Sequence, residues 1–199
     1  MEEILIICAM QKEAKFIAEK LKLNKVNENL YRNENISLLI SGIGKQRTAI
    51  YLTKYLCENK KPSKIINIGY AGSTDIEIGK WVNITRSYNY EWEIPGEEKY
   101  SMLDLGNQKL CTLENNKIEK VECYSAECFV TDTDIEEHIA FDMELHSIAI
   151  LCDEYDIPLY SIKKISDNLN LEHFYENIKQ EDIFELHSSI DLLKDENII

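Results

Sequence analysis

The chain has little positive charge and few of the residues that interrupt regular structure. Its 199 residues include three prolines and seven glycines, and 22 lysines and arginines stand against 36 aspartates and glutamates, a formal net charge of -14. No basic cluster offsets this negative field, which would repel the phosphates of nucleic acid and the surface of an anionic membrane. We therefore expect neither nucleic acid nor a membrane as a partner.

Long apolar runs and a basic leader segment are also missing. The sequence opens MEEILIICAM, with two acids where a secretory signal has basic residues, and the apolar run that follows is too short to span a bilayer. This pattern predicts a cytoplasmic protein. An apolar content of 44% in a chain of this length predicts one good core, so we expect a single domain over residues 1–199.

Closely spaced cysteines and histidines, which mark metal sites, do not occur. The six cysteines form no CxxC pair, and most of them lie in apolar segments, as is typical of reduced and buried thiols. The four histidines show no HExxH or comparable spacing. The sequence therefore predicts no metal and no other cofactor.

Apolar segments of strand length alternate with segments of helical periodicity. Strands that are apolar almost throughout are buried on both faces, which indicates a mainly parallel sheet with helices on each side. We therefore predict an α/β fold, a single-domain three-layer sandwich with a mainly parallel central sheet flanked by helices. The predicted strands are 3–9, 36–41, 64–69, 81–90, 120–130 and 158–167; helices follow the first two strands and recur at 142–155 and 172–195.

Three carboxylates lie where such a sheet would hold a ligand, beyond the carboxyl ends of its strands. These are Glu13, Glu144 and Asp167. Each also has an ordinary structural explanation. Glu13 and Glu144 would suit the first turn of a helix, the second one capped by Asp142, and Asp167 would cap a final turn. On spacing alone, the sequence predicts an α/β protein with an acidic cleft.

Six short motifs in order make the chain resemble a known family. Together they resemble the nucleoside phosphorylase and nucleosidase superfamily, and most closely its 5'-methylthioadenosine/S-adenosylhomocysteine nucleosidases. The resemblance covers about residues 5 to 170 and implies a nucleoside phosphorylase-like fold. The motifs are ICAMQKEAKFI at 7–17, SGIGK at 41–45, IINIGYAG at 65–72, SAECFV at 125–130, FDMELHSIA at 141–149 and KKISDN at 163–168.

The resemblance implies roles for nine residues of this chain. Glu13 would activate water, and Asp167 would donate a proton towards N7 of the leaving purine. Glu144 would bind the ribose hydroxyls while Met143 packs against the sugar. The other five would contact the substrate: Ile43 at the 5' substituent across a subunit boundary, Tyr70 beside the ribose, Phe129 stacked on the purine, Val130 through main-chain contacts to the base, and Ser166 beside the leaving base.

The resemblance further implies a homodimer that hydrolyses the N-glycosidic bond of a purine nucleoside. The expected substrate is methylthioadenosine or S-adenosylhomocysteine, and the expected product is adenine. Two alternatives stay open: a phosphate-dependent purine nucleoside phosphorylase, and a catalytically impaired homologue that binds a nucleoside.

Several residues depart from the family pattern and bear on these alternatives. Tyr70 stands where the family usually has a small serine, and Ala126-Glu127 replaces its usual Gly-Asp. The chain is also shorter than is common in the family, most visibly at 89–109 and 130–141. A phosphorylase would want arginines converging on phosphate, and the chain offers only Arg32, Arg47 and Arg86.

Overall fold

The computed structural model describes residues 3–93, 95–96, 110–114, 118–135, 138–180 and 185–199. No helix within these ranges combines the length and apolarity needed to cross a membrane. The strands are β1 (Ile4–Cys8), β2 (Asn24–Asn27), β3 (Leu30–Arg32), β4 (Ile36–Ile40), β5 (Lys64–Gly72), β6 (Trp81–Asn89), β7 (Glu119–Ser125), β8 (Ile139–Asp142) and β9 (Leu159–Asp167), and the helices are α1 (Gln11–Leu21), α2 (Lys45–Glu58), α3 (Leu145–Glu154), α4 (Leu171–Asn177) and α5 (His187–Asp195).

All nine strands belong to one sheet, in the order β2-β3-β4-β1-β5-β8-β7-β6-β9. A further pairing of β9 with β5 closes β5, β9, β6, β7 and β8 into a ring. The predicted α/β class is therefore correct, but the sheet is mixed rather than mainly parallel. Antiparallel pairs occur at β2–β3, β3–β4, β5–β8 and β6–β9.

Strand β1 is buried on both of its faces, to which its successive side chains point in alternation. Leu5 and Ile7 of β1 belong to a core cluster that also contains residues of α2 and α3. Ile6 and Cys8 belong to a second cluster with residues of α1 and α5. Helices thus pack against both sides of β1. This two-sided burial explains why the strand is apolar along almost its whole length.

Three elements differ from the sequence-based expectation. The hairpin β2–β3 was not predicted, because all four residues of β2 are exposed and carry no apolar alternation. The helix expected at 172–195 is wrong: α4 ends at Asn177 and α5 begins at His187. The helix expected at 142–155 begins three residues later, because 139–142 form β8. The shortened region at 89–109 lies largely outside the described residues.

Candidate active site

A cavity of about 340 Å³ opens at the carboxyl edge of the sheet. Its walls come from the segments that follow β1, β4 and β7, from the carboxyl ends of β5, β8 and β9, and from α4. All nine residues to which the family resemblance gave a role line this cavity, although the first and the last are 154 positions apart in sequence: Glu13, Ile43, Tyr70, Phe129, Val130, Met143, Glu144, Ser166 and Asp167.

Glu13 sits in a cradle of backbone N–H groups. Its Oε2 accepts hydrogen bonds from the N–H groups of Ala9 (2.9 Å) and Met10 (2.7 Å), and its Oε1 accepts one from Tyr70 (3.2 Å). Burial raises the pKa of Glu13, while the hydrogen bond from Met10 and the positive charge of Lys163 oppose the rise. The carboxylate is thus fixed in orientation, and it is 2% exposed.

Glu144 lies at the start of α3 and reaches across to the start of α2. Its Oε1 accepts a hydrogen bond of 2.9 Å from the backbone N–H of Gly44, the residue that caps α2. Gly44 has a φ of 99°, which side-chain-bearing residues rarely adopt. Burial first, and the charge of Asp142 second, raise the pKa of Glu144 to about 8. The backbone N–H of this glycine turn is therefore occupied by a carboxyl group of the chain itself.

Asp167 ends β9 and turns one oxygen towards Ser166. The Ser166 hydroxyl donates to its Oδ2 over 2.8 Å, whereas Oδ1 is buried and has no hydrogen-bond partner among the described residues. This Oδ1 lies 2.9 Å from the point where a side chain at Gly72 would place its Cβ, so only glycine fits beside it. Burial raises the pKa of Asp167, and the hydrogen bond from Ser166 opposes that rise.

Aromatic rings form the wall of the cavity opposite β8. Phe174 of α4 lies 5.8 Å from Phe129 and 6.4 Å from Tyr70, measured between ring centroids, and Tyr175 is 5.3 Å from Phe174. The Asn177 side chain donates to the carbonyl of Ser166 over 2.7 Å and so ties α4 to the end of β9. The sequence analysis identified Phe129 and Tyr70 but missed Phe174 and Tyr175, although these adjacent aromatics follow soon after Asp167.

A buried ion pair supports the floor of the site. Lys163 of β9 is 1% exposed, and its Nζ lies 2.7 Å from Asp142 Oδ2. Asp142 also accepts the N–H of Leu145 (3.0 Å) and the hydroxyl of Ser125 (2.5 Å). The N-cap position of α3 is Glu144 rather than the expected Asp142, which ends β8. Sequence analysis missed Lys163, although a lysine within an apolar strand is itself unusual.

The three arginines are engaged elsewhere. Arg32 bonds to Ser37 (2.7 Å) and Asn59 (2.9 Å), and Arg86 lies 3.8 Å from Glu122. Arg47 is exposed and lies over the ring of Tyr51. Within the described part of the chain, none of these guanidinium groups reaches the cavity wall.

Comparison with known proteins shows the family to which the chain belongs. The sequence model of the phosphorylase superfamily matches residues 3–185. The chain belongs to the phosphorylase superfamily. The matched segment includes the nine cavity-lining residues that were identified from the sequence.

Two curated relatives of this phosphorylase-superfamily chain have the same name. A 5'-methylthioadenosine/S-adenosylhomocysteine nucleosidase of Buchnera aphidicola is 30% identical, with 82% of each chain covered. Another of the same name, from Bacillus cereus, is 27% identical and covers 82% of this chain and 85% of its own.

Solved structures share the fold at lower identity. A mutant of the Helicobacter pylori nucleosidase with 5'-methylthioadenosine in its active site has a TM-score of 0.78 at 18% identity, with 100% of this chain and 99% of the other covered. Futalosine hydrolase of the same organism has a TM-score of 0.78 at 17% identity, with 98% of both chains covered. At such identities the likeness concerns the fold.

Proposed function

We propose that this protein hydrolyses the N-glycosidic bond of a purine nucleoside of the methylthioadenosine/S-adenosylhomocysteine class and releases adenine. The observation that carries the proposal is the placement of three buried carboxylates, Glu13, Glu144 and Asp167, on different walls of one cavity. The relatives of 27% and 30% identity support this activity by their names.

Asp167 is the proposed general acid. A purine departs readily only if its N7 gains a proton as the bond from C1' to N9 breaks, and a carboxyl group with a raised pKa can carry that proton at neutral pH. The raised pKa of Asp167 and the unpartnered, buried Oδ1 suit this task. Ser166 would hold the other oxygen during the transfer.

Glu144 is the proposed ribose ligand. The sugar becomes positively charged as the base departs, so a carboxylate bonded to its hydroxyls binds the transition state more tightly than the ground state. The hydrogen bond from Gly44 fixes one oxygen of Glu144 and leaves the other for the sugar. Met143, which also lines the cavity, would pack against the ribose face.

Glu13 is the proposed base for the attacking water. The water oxygen would bond to C1' on the face opposite the departing purine and give a proton to Glu13. Its three backbone hydrogen bonds hold this carboxylate in place before substrate arrives. Proton uptake by Glu13 balances proton release by Asp167, so the products are free base and a reducing sugar.

The occupation of the backbone cradle by Glu13 favours hydrolysis over phosphorolysis. The N–H groups of Ala9, Met10 and Tyr70, which could bind an external anion, already bind Glu13. A phosphate dianion beside Glu13 would meet like charge without an arginine fork, a repulsion of several kcal/mol in a poorly solvated site. The side chain of Tyr70 further narrows the space that a phosphate would need beside Glu13.

A homodimer and a cytoplasmic location complete the proposal. Ile43 lines the cavity yet is 51% exposed, and Ile50, two helical turns further along the chain on α2, is 66% exposed. A second subunit covering this apolar surface would exclude water from the 5' side of the substrate. All six thiols are free, which suits a reducing compartment, although only three of them are buried.

The test is incubation of the purified protein with methylthioadenosine, S-adenosylhomocysteine, adenosine, inosine and futalosine, each with and without inorganic phosphate. We expect free adenine from the first two, at a rate independent of phosphate. Sugar phosphate formed in proportion to added phosphate would instead indicate a phosphorylase. Tight adenine binding by calorimetry without turnover of any nucleoside would indicate a non-catalytic binder.

A further inference from the structure

Lys163 is a buried cation that the proposed chemistry does not yet use. It lies in the middle of β9, four residues before Asp167, and its ammonium group is in direct contact with Asp142 at 2.7 Å. A buried charge is tolerated only when it is paired, so the location of Lys163 requires anions around it. Those anions belong to the cavity described above.

Gly69 brings Lys163 and Glu13 towards each other. A Cβ at Gly69 would lie 2.8 Å from Glu13 Oε1 and 3.8 Å from Lys163 Nζ, so both groups approach the space that its missing side chain leaves open. The ammonium group of Lys163 thus lies between Glu13 of α1 and the acids at the β8–α3 junction, Asp142 and Glu144. The titratable groups that face it from the surrounding elements are Glu13, Asp142, Glu144, Cys8 and Cys123.

Charge balance connects these contacts to the site. Three negative charges would surround one small cavity if Asp142, Glu144 and Glu13 were all ionised. Like charges near one another disfavour each other's ionisation. Among the described residues that face these three acids, Lys163 contributes the single positive charge. Burial opposes the ionisation of Lys163, but Asp142 and Glu144 outweigh it and hold the lysine pKa above its ordinary value.

We propose that Lys163 is a positioning residue: its ammonium neutralises Asp142 beside Glu144 and thereby favours the carboxylate form of Glu144 at the bound ribose. Lys163 lies behind the cavity wall, so it acts through Asp142 and Glu144 rather than on the substrate. The kinetic part of this inference rests on the proposed nucleosidase activity. The electrostatic part does not, because it concerns the ionisation of Glu144 in the protein alone.

The first experiment compares Lys163→Met with Lys163→Arg. Methionine keeps the apolar stem without the charge, whereas arginine keeps the charge. In Lys163→Met we expect the acid limb of the pH profile of kcat/KM, which reports a group that must be deprotonated, to move up by about one to three pH units. In Lys163→Arg the limb should stay close to that of the wild type.

Lys164→Met is the matched control. Lys164 is the next residue of β9, is also buried at 5% exposure, and points to the other face, where its Nζ donates to the carbonyl of Glu185 and lies over Trp81. Loss of this lysine should leave the pH profile unchanged. An equal shift in Lys164→Met would overturn the proposal, because it would trace the effect to a weakened strand.

A charge-balanced double variant, Lys163→Met with Asp142→Asn, separates charge from packing. It removes the cation and the adjacent anion together, so the acid limb should return towards the wild-type pH. If the single variant Lys163→Met does not fold, the double variant should fold again. A double variant whose acid limb remains as displaced as that of Lys163→Met would show that the missing charge is not the cause.

A measurement without turnover keeps this inference distinct from the proposed activity. Carbon-13 NMR titration of the glutamate carboxyl groups, assigned with Glu144→Gln, should show Glu144 ionising at higher pH in Lys163→Met than in the wild type, and at near wild-type pH in the double variant. A wild type that cleaves no nucleoside refutes the activity alone. An unmoved Glu144 titration overturns the role of Lys163, whatever the activity.

Discussion

At the scale of single residues, the same functional group is given different chemistry by its neighbours. Glu13 has three backbone donors, Glu144 has one from Gly44, and Asp167 has a serine hydroxyl on one oxygen and nothing described on the other. Donors stabilise the carboxylate form, and burial stabilises the protonated form. Asp167 combines a raised pKa with an Oδ1 that has no hydrogen-bond partner among the described residues, so it is suited to carry a proton.

Replacing the proposed acid should abolish most of the turnover. We expect Asp167→Asn to lower kcat by about two to four orders of magnitude, because a general acid contributes about that much. The asparagine keeps the size of the side chain, so circular dichroism should remain native. Asp153→Asn, an exposed change on α3, is the control and should leave kcat unchanged. An unaltered rate in Asp167→Asn would mean that the base departs without this proton.

Gly69 provides a test of the Glu13 position. In Gly69→Ala the new methyl group would stand 2.8 Å from Glu13 Oε1, and the carboxylate must shift. A displacement of about 1 Å at a reacting group can cost about a hundredfold in rate, so we expect kcat to fall by about tenfold to a hundredfold. Adenine binding, measured by calorimetry, should change much less. A loss of binding as large as the loss of kcat would argue against a displaced base.

At the scale of elements, prediction from sequence succeeded where a strand meets a glycine turn and a helix. The strand ends near Glu13, Ile43 and Tyr70 could be predicted because buried strands leave a strong apolar signal, whereas the roles of these residues came from the family resemblance. The α4 region has no such signal. Its seven residues include no buried side chain, so the aromatic wall with Phe174 arises from tertiary packing that periodicity does not encode.

The start of α2 is the element where assembly can be tested. We expect Ile43→Asp to convert the proposed dimer to a monomer and to raise KM, because it places a charge on the apolar surface that a second subunit would bury. Analytical ultracentrifugation and kinetics measure both effects. Val26→Asp is the matched control, since Val26 is 57% exposed on β2 and lies outside the cavity. A wild type that sediments as a fully active monomer would contradict the proposal.

At the scale of the whole molecule, a net charge of -14 surrounds a site whose own acids are buried. Lys163 was not foreseen because its partners, Asp142 and Glu144, come from the β8–α3 junction and lie about twenty residues away. Sequence proximity gives no information about such a pair. The mixed order of the strands was equally hidden, since apolar runs look alike in parallel and antiparallel neighbours once both faces are covered.

Buried acids also set how stability depends on pH. The pKa of Glu144 is raised to about 8, so its stabilising contribution is complete below its ordinary pKa and is lost as pH rises towards 8. Each tenfold change in proton affinity between the folded and unfolded states corresponds to about 1.4 kcal/mol, or about 3 to 5 °C in Tm at this chain length. We therefore expect the wild-type Tm, relative to that of Glu144→Gln, to fall by at least that much between pH 5 and pH 8.

Thermal denaturation followed by circular dichroism across this range provides the measurement. Glu154→Gln, an exposed change on the same helix, should track the wild type at every pH. A Tm difference between wild type and Glu144→Gln that stays constant, or grows in favour of the wild type as the pH rises, would contradict the raised pKa.

The ring of strands has a consequence for biosynthesis. β9 pairs with β5 on one side and with β6 on the other, yet it is made about 70 residues after the end of β6. A nascent chain on the ribosome therefore holds two unsatisfied strand edges for several seconds, at a usual elongation rate of about 5–20 residues per second. Asp167 arrives with the strand that closes this gap, so the site is completed only when the ring closes.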